Sequence, residues 1–154
     1  MKGTIVHIFI SPHGGKCIES LDTANLVAGK GIDGDRYFLG TGTFSEKLKG
    51  NPAAELTLIE KEQIDRFNQE QGLQIDYGDF RRNLVTQGIA LNDLVGKTFT
   101  IGNARLKGMR LCEPCPHLAE TLNPLVLPHL VGRGGLRAQI VFSNTIIIGD
   151  SITA

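Results

Sequence analysis

Along much of the chain, apolar and polar residues alternate with a period of two, and that pattern predicts strands. Thr4 to Ile10 (Thr-Ile-Val-His-Ile-Phe-Ile) is β-branched and aromatic, as a half-buried pleated strand requires. A turn cluster follows at Ser11 to Gly15, and Lys16 to Val27 reads as a second strand. Glu55 to Glu60 is a third. Leu94 to Lys107 has the form of a hairpin: Phe99-Thr-Ile alternates, Gly102-Asn103 supplies the turn, and Ala104-Arg-Leu-Lys returns. Leu136 to Phe142 and Thr145 to Ile148 form a last pair of strands joined by Ser143-Asn144, and Gly149-Asp150 closes the chain. Only one stretch switches clearly to the helical period. Between Glu60 and Gln71, Ile64 and Phe67 recur at helical spacing on a polar, solvated background, and Gly72 supplies the stop. Thr121 to Leu130, with two prolines, reads as a short irregular or helical connection.

At least six strands and one clear surface helix run on without a repeat, linker or low-complexity tract. This predicts a single domain over residues 1–154, mainly β with minor α, folded as a closed or nearly closed barrel. A chain of 154 residues can bury one sizeable core, and 19 glycines against 6% aromatic residues suit a turn-rich β protein. The 16 basic and 16 acidic residues cancel, which argues against nucleic acid as the main partner but leaves room for a local basic pocket. No apolar run approaches the roughly 20 residues of a membrane helix. Met1 leads straight into a strand pattern rather than a signal peptide. Three cysteines, an odd count, suit a reduced compartment, so a cytoplasmic location without membrane contact is expected.

Candidate chemistry concentrates in Arg110 to Leu118 (Arg-Leu-Cys-Glu-Pro-Cys-Pro-His-Leu). Pro114 and Pro116 fix φ on either side of Cys115 and predict a stiff, non-helical loop. Cys112 and Cys115 admit several readings. A zinc ribbon needs a second ligand pair at finger spacing, and His117, His129 and Cys17 do not supply one. A thioredoxin-type motif belongs at the start of a helix in an α/β fold. A single functional thiolate, acting as nucleophile, persulfide carrier or soft-metal ligand, is the third reading; a pair of reduced structural thiols is the fourth. Cys115 is the better candidate for the acting thiol, with Cys112 second and Arg110, Arg81 and His117 as the cations that would favour a thiolate. Cys17 has no partner at motif spacing and reads as a packed or incidental thiol.

Two further stretches carry chemistry-bearing residues. Gly29 to Gly42 interleaves glycines with Asp33, Asp35 and Arg36; it is either a wide loop whose carboxylates pair with Arg36 and cap backbone groups, or one wall of an anion site. It matches neither the GxGxxG nor the Walker spacing. In Asp79 to Gly88, Arg81 and Asn83 on a strand would share one face and Arg82 the other, presenting a guanidinium and an amide to a phosphate or carboxylate. The plainer alternative pairs these arginines with Asp76, Asp79 or Glu60.

Several marks now fall in a recognisable order. They are Gly-Ile-Asp-Gly-Asp-Arg-Tyr at 31–37, Glu-Leu-Thr-Leu-Ile-Glu at 55–60, Phe-Arg-Arg-Asn-Leu-Val-Thr-Gln-Gly at 80–88 and Leu-Val-Gly-Lys-Thr-Phe-Thr-Ile-Gly at 94–102. Cys-Glu-Pro-Cys at 112–115, Gly-Arg-Gly-Gly-Leu-Arg-Ala at 132–138 and Gly-Asp at 149–150 complete the series. The chain resembles the MOSC domain, named after the C-terminal part of molybdenum cofactor sulfurases. The resemblance implies a β-barrel-like fold and molybdenum–sulfur chemistry. In amidoxime-reducing members a loop cysteine ligates molybdenum, which matches Cys115, and an Arg-x-Asn holds the pterin phosphate, which matches Arg81 and Asn83. Arg36 and Arg110 are weaker candidates for cofactor contact. The resemblance thus implies a molybdenum cofactor (molybdopterin) and a protein that binds it, carries sulfur on a reactive cysteine, or reduces N-hydroxylated substrates with an electron-transfer partner. A cysteine desulfurase is the expected sulfur-donating partner. This chain lacks the desulfurase part of the sulfurases and the N-terminal region of the amidoxime reducers, so pyridoxal phosphate is not expected. The rival expectation is a non-catalytic barrel that docks on a partner and keeps its cysteines structural.

Overall fold

The computed structural model describes residues 1–12, 18–41 and 50–154. Eleven strands are assigned among them: β1 (Lys2–Ile10), β2 (Glu19–Leu21), β3 (Thr23–Val27), β4 (Gly31–Ile32), β5 (Leu56–Glu60), β6 (Leu84–Gln87), β7 (Thr98–Ile101), β8 (Ala104–Leu111), β9 (Leu136–Phe142), β10 (Asn144–Ile147) and β11 (Ser151–Thr153). The helices are α1 (Arg36–Leu39), α2 (Lys61–Gln71), α3 (Pro116–Thr121) and α4 (Val126–His129). Seven strands close a ring in the order β11-β7-β8-β9-β5-β6-β1, sealed by pairing of β1 with β11. The mainly β, closed-barrel expectation holds. Every pairing in the ring is antiparallel except β5–β6, whose parallel alignment needs the crossover that α2 provides. A small second sheet, β10-β3-β4, stands beside the barrel, and β2 pairs with the end of β1.

Period-two burial fills the barrel. Leu136, Ala138 and Ile140 of β9 point inward with Leu56, Leu58, Leu84, Phe99, Leu106 and Ile152. In β1 a register shift between Ile5 and His7 lets Ile5 and Ile8, three apart, both reach the core. A second apolar layer lies outside the ring. Ile64 and Phe67 of α2 pack there with Ile59, Val85 and Phe80, and Leu118, Val126 and Leu130 join them from the segment after the cysteines. Each such side chain, fully buried, contributes about 1.5–3 kcal/mol. Gly72 ends α2 in the left-handed conformation, as expected.

Several expectations need correction. Lys16 to Val27 is not one strand: the described part splits into β2 and β3 at Asp22, while Lys16 and Cys17 lie outside the described residues. The turn residues His13 to Gly15, and Gly42, also lie outside them. Gly29 to Gly42 is not wholly loop, since it contains β4 and α1. The final strands β9 and β10 do not pair with each other; β10 turns away to β3, and β11 beyond Gly149-Asp150 is the strand that closes the ring. Arg81 to Asn83 precede β6 rather than belonging to it, so alternation along a strand does not govern their directions.

Candidate functional site

β8 delivers the cysteine loop. Its ladder continues one step beyond the strand, because the Cys112 N–H donates to Gly135 O at 2.7 Å. Cys112 is only 3% exposed, whereas Cys115 is half-buried against the outer apolar layer. The expected non-helical loop is shorter than the prolines suggested. Cys115 is extended (φ −124°, ψ 165°) and is the N-cap of α3, which starts at Pro116. A first-turn proline fits this position, because its missing N–H would have had no helical partner. The Leu118 N–H donates to Cys115 Sγ at 3.4 Å. The Cys-x-x-Cys pair therefore does sit between a strand and a helix, though in a barrel rather than a thioredoxin-like sheet.

Arg82 pins this loop, a role the sequence reading missed. Its Nε donates to Gly134 O at 2.9 Å, Nη1 to Phe80 O at 3.2 Å, and Nη2 to Cys112 O at 3.0 Å and Glu113 O at 3.5 Å. All four acceptors are carbonyls, so a buried cation is satisfied by backbone dipoles rather than by the carboxylates proposed for it. Gly134 permits the approach: a Cβ there would lie 2.5 Å from Cys112 O. Glu113 clamps from the other side, its carboxylate accepting the Gly132 N–H at 2.8 and 3.1 Å. The paired arginines and the Gly-Arg-Gly-Gly run were the available signals, but neither shows that one grips the other.

A small, open cleft lies beside this clamp, lined by Phe9, Ser11, Arg36, Arg81, Arg82 and Asn83 among others. Its backbone frame is unusual. Tyr77–Phe80 forms a 3-10 turn whose C-cap, Arg81, has φ +62°, the only non-glycine positive φ among the described residues. A side chain held there costs of order 1 kcal/mol or more. Arg36 Nη2 donates to Arg81 O at 3.3 Å and Nη1 pairs with Asp35 at 3.2 Å; Arg81 Nη2 donates to Ser11 Oγ at 3.3 Å. Asp35 also accepts from Ser11 N at 3.0 Å and caps α1 through Tyr37 N, which bears out the plain reading of that carboxylate. Burial, and then the neighbouring Arg36 guanidinium, hold Arg81 below the ordinary arginine range, with Asp35 and Asp79 acting the other way. Three arginines line the cleft, and Asp35 and Asp79 offset their charge in part.

The site residues are thus only partly assembled. Arg36, Arg81 and Asn83 line one cleft, and Arg82 links it to the backbone of Cys112 and Glu113. Most of the Asn83 amide is engaged: Oδ1 accepts from Thr57 N and Thr57 Oγ1 at 3.0 and 3.2 Å, and Nδ2 donates to Phe9 O at 3.2 Å, leaving one N–H to offer. Arg110 is outside the cleft, exposed on β8 opposite Arg137 of β9. No group of three metal-ligating His, Cys, Asp or Glu side chains occurs among the described residues.

With that geometry in view, a family model described as the MOSC domain matches residues 45–153. The chain belongs to the MOSC domain family. Its match begins after the 31–37 motif and takes in both the cysteine loop and Arg81 to Asn83. Among solved structures, this MOSC domain is similar to the YuaD protein of Bacillus subtilis at 16% identity and a TM-score of 0.81, covering 99% of this chain and 94% of that one. It is also similar to YiiM of Geobacillus stearothermophilus (14% identity, TM-score 0.73, 98% and 74% covered) and YiiM of Escherichia coli (17%, 0.69, 99% and 69%). At such identities the likeness speaks to the fold. No curated protein sequence matches significantly. No helix among the described residues is long and apolar enough to cross a membrane.

Proposed function

We propose that this MOSC domain binds a molybdopterin-type cofactor by its phosphate in the Arg36–Arg81 cleft, with Cys115 as the thiol that ligates molybdenum or carries sulfur. The observation that carries the proposal is the half-buried Arg81, held at positive φ beside a second arginine. Two planar guanidiniums can bind a phosphate bidentately, and backbone strain concentrates where function maintains it. The cleft is small and open to solvent, so it suits an anionic headgroup whose remainder lies outside. Cys115, partly exposed on an arginine-pinned loop, fits a soft-metal ligand better than the buried Cys112 does. When bound, the cofactor would supply the redox-active metal.

The sulfur-carrier form of the proposal needs only the thiol and a donor. The Cys115 thiolate attacks the outer sulfur of a cysteine desulfurase persulfide, a new S–S bond forms on Cys115, and the donor leaves as a thiolate. The two forms are separated by measurement. Protein expressed with ample molybdate should carry molybdenum and a fluorescent oxidised pterin, both lost in Arg81→Gly. A mass gain of about 32 Da on Cys115 without reductant would indicate the persulfide. If neither molybdenum, pterin nor persulfide is found, and Cys115→Ala retains full cellular function, the protein is instead a docking module with structural cysteines.

A further inference from the structure

Arg137 stands on β9 between two register partners, Thr57 of β5 and Arg110 of β8. Leu136 and Ala138 on either side of it are fully buried in the barrel, so Arg137 shares the outer face with Thr57 and Arg110. The Thr57 hydroxyl is turned to Asn83, donating to its Oδ1 and accepting from its backbone N–H. Arg137 Nη1 is buried and has no hydrogen-bond partner among the described residues. Its neighbour on the other side is a second arginine, and like charges directly opposite on a sheet face repel. Lys107, opposite Gln139 at the next outward step of the same ladder, adds a third cation. No ion pair within 4.0 Å joins any of the three to a carboxylate among the described residues. A buried guanidinium N–H without an acceptor, on a sheet face shared with a second arginine, is costly to keep unless an anion completes it.

We propose that Arg110 and Arg137 form an oxyanion site on the outer face of β8–β9, separate from the Arg36–Arg81 cleft. The class of ligand is a phosphate, sulfate or carboxylate group that accepts from both guanidinium forks, with Lys107 adding charge at the rim. The next ladder pair is Leu111 with Leu136, followed at once by the Cys112–Gly135 bond, so an anionic substituent held here lies at the entrance to the cysteine loop. The site does not depend on cofactor binding in the cleft.

The test is an NMR titration of arginine Nε–H signals with inorganic phosphate at fixed ionic strength, run in Arg81→Gly protein so that the cleft is disabled. The Arg110 and Arg137 signals should shift saturably, and the Arg110 shift should be lost in Arg137→Met but kept in Arg137→Lys. Parallel titrations with sulfate and acetate distinguish a tetrahedral oxyanion from a carboxylate. A second readout uses melting: Arg137→Met should melt about 2–4 °C higher than the parent in phosphate-free buffer and gain less from added phosphate. The site is refuted if the Arg137 signal stays still, moves equally with sodium chloride, or if Arg137→Met gains as much from phosphate as the parent. The wild-type Arg81 signal reports the cleft separately, so either site can fail alone.

Discussion

Arg82 shows how one side chain can decide the shape of a reactive loop. Its four carbonyl acceptors belong to three separate chain segments, so Arg82→Met leaves Cys112 O, Glu113 O and Gly134 O without their charged donor. Hydrogen bonds to charged groups contribute about 1.5–3 kcal/mol each, and the loss is expected to exceed 3 kcal/mol by chemical denaturation. Mapping alkylation by mass spectrometry should then find Cys112 labelled in the variant, whereas in the wild type Cys115 reacts first because Cys112 is 3% exposed. Comparable wild-type labelling of both thiols would contradict this. Arg81 predicts opposing effects of one change: Arg81→Gly relieves the positive φ, raising stability by about 1 kcal/mol, while it removes the guanidinium that anion binding needs. These roles were only half legible in the sequence. The candidates Arg36, Arg81 and Asn83 do meet in one cleft, but the shared face expected of Arg81 and Asn83 assumed a strand where the chain is only leaving a 3-10 turn. Tyr77-Gly-Asp-Phe carries no periodicity that would have announced that turn. Arg82 was invisible as a site residue because its partners are backbone carbonyls from distant segments, brought to it only by tertiary pairing.

At the scale of elements, what was legible was local. The alternation of β1, the Gly102-Asn103 hairpin, and α2 with its apolar pair and terminal glycine all appear where their patterns put them, because each is specified by residues a few positions apart. Partnership between distant elements was not legible: β10 leaves β9 for β3, and β5 lies parallel to β6. The join ahead of β5 carries a titrating group. Glu55 is buried, its Oε1 accepting from Ile140 N at 2.9 Å and Gly29 N at 3.2 Å, and burial outweighs these donors to push its carboxyl above the ordinary range. The folded protein therefore holds this proton to higher pH than the unfolded chain does. The contribution to stability is full below the ordinary carboxylate pKa of ~4.5 and is lost as pH rises through the folded value. Glu55→Gln keeps an acceptor for both N–H groups but cannot ionise. Its melting temperature relative to wild type should rise from pH 4 to pH 8, and a pH-independent difference would show that Glu55 does not titrate in this way.

For the whole molecule, closure rests on a short strand. β11 contributes one fully buried side chain, Ile152, and pairs with β1 on one side and β7 on the other. Ile152→Ala is expected to cost about 2–4 kcal/mol and to lower amide-exchange protection along both neighbours, not along β11 alone. Protection lost only at Ser151–Thr153 would mean that the ring does not act as one unit. The same seam sets an order of events during synthesis. β1 leaves the ribosome well before β11, so the Lys2–Thr4 edge that β11 will cover stays unpaired while the strands between them are made. A nascent chain of this kind carries an exposed strand edge for as long as the intervening strands take to make, the condition under which holdase chaperones are needed and stalled products aggregate.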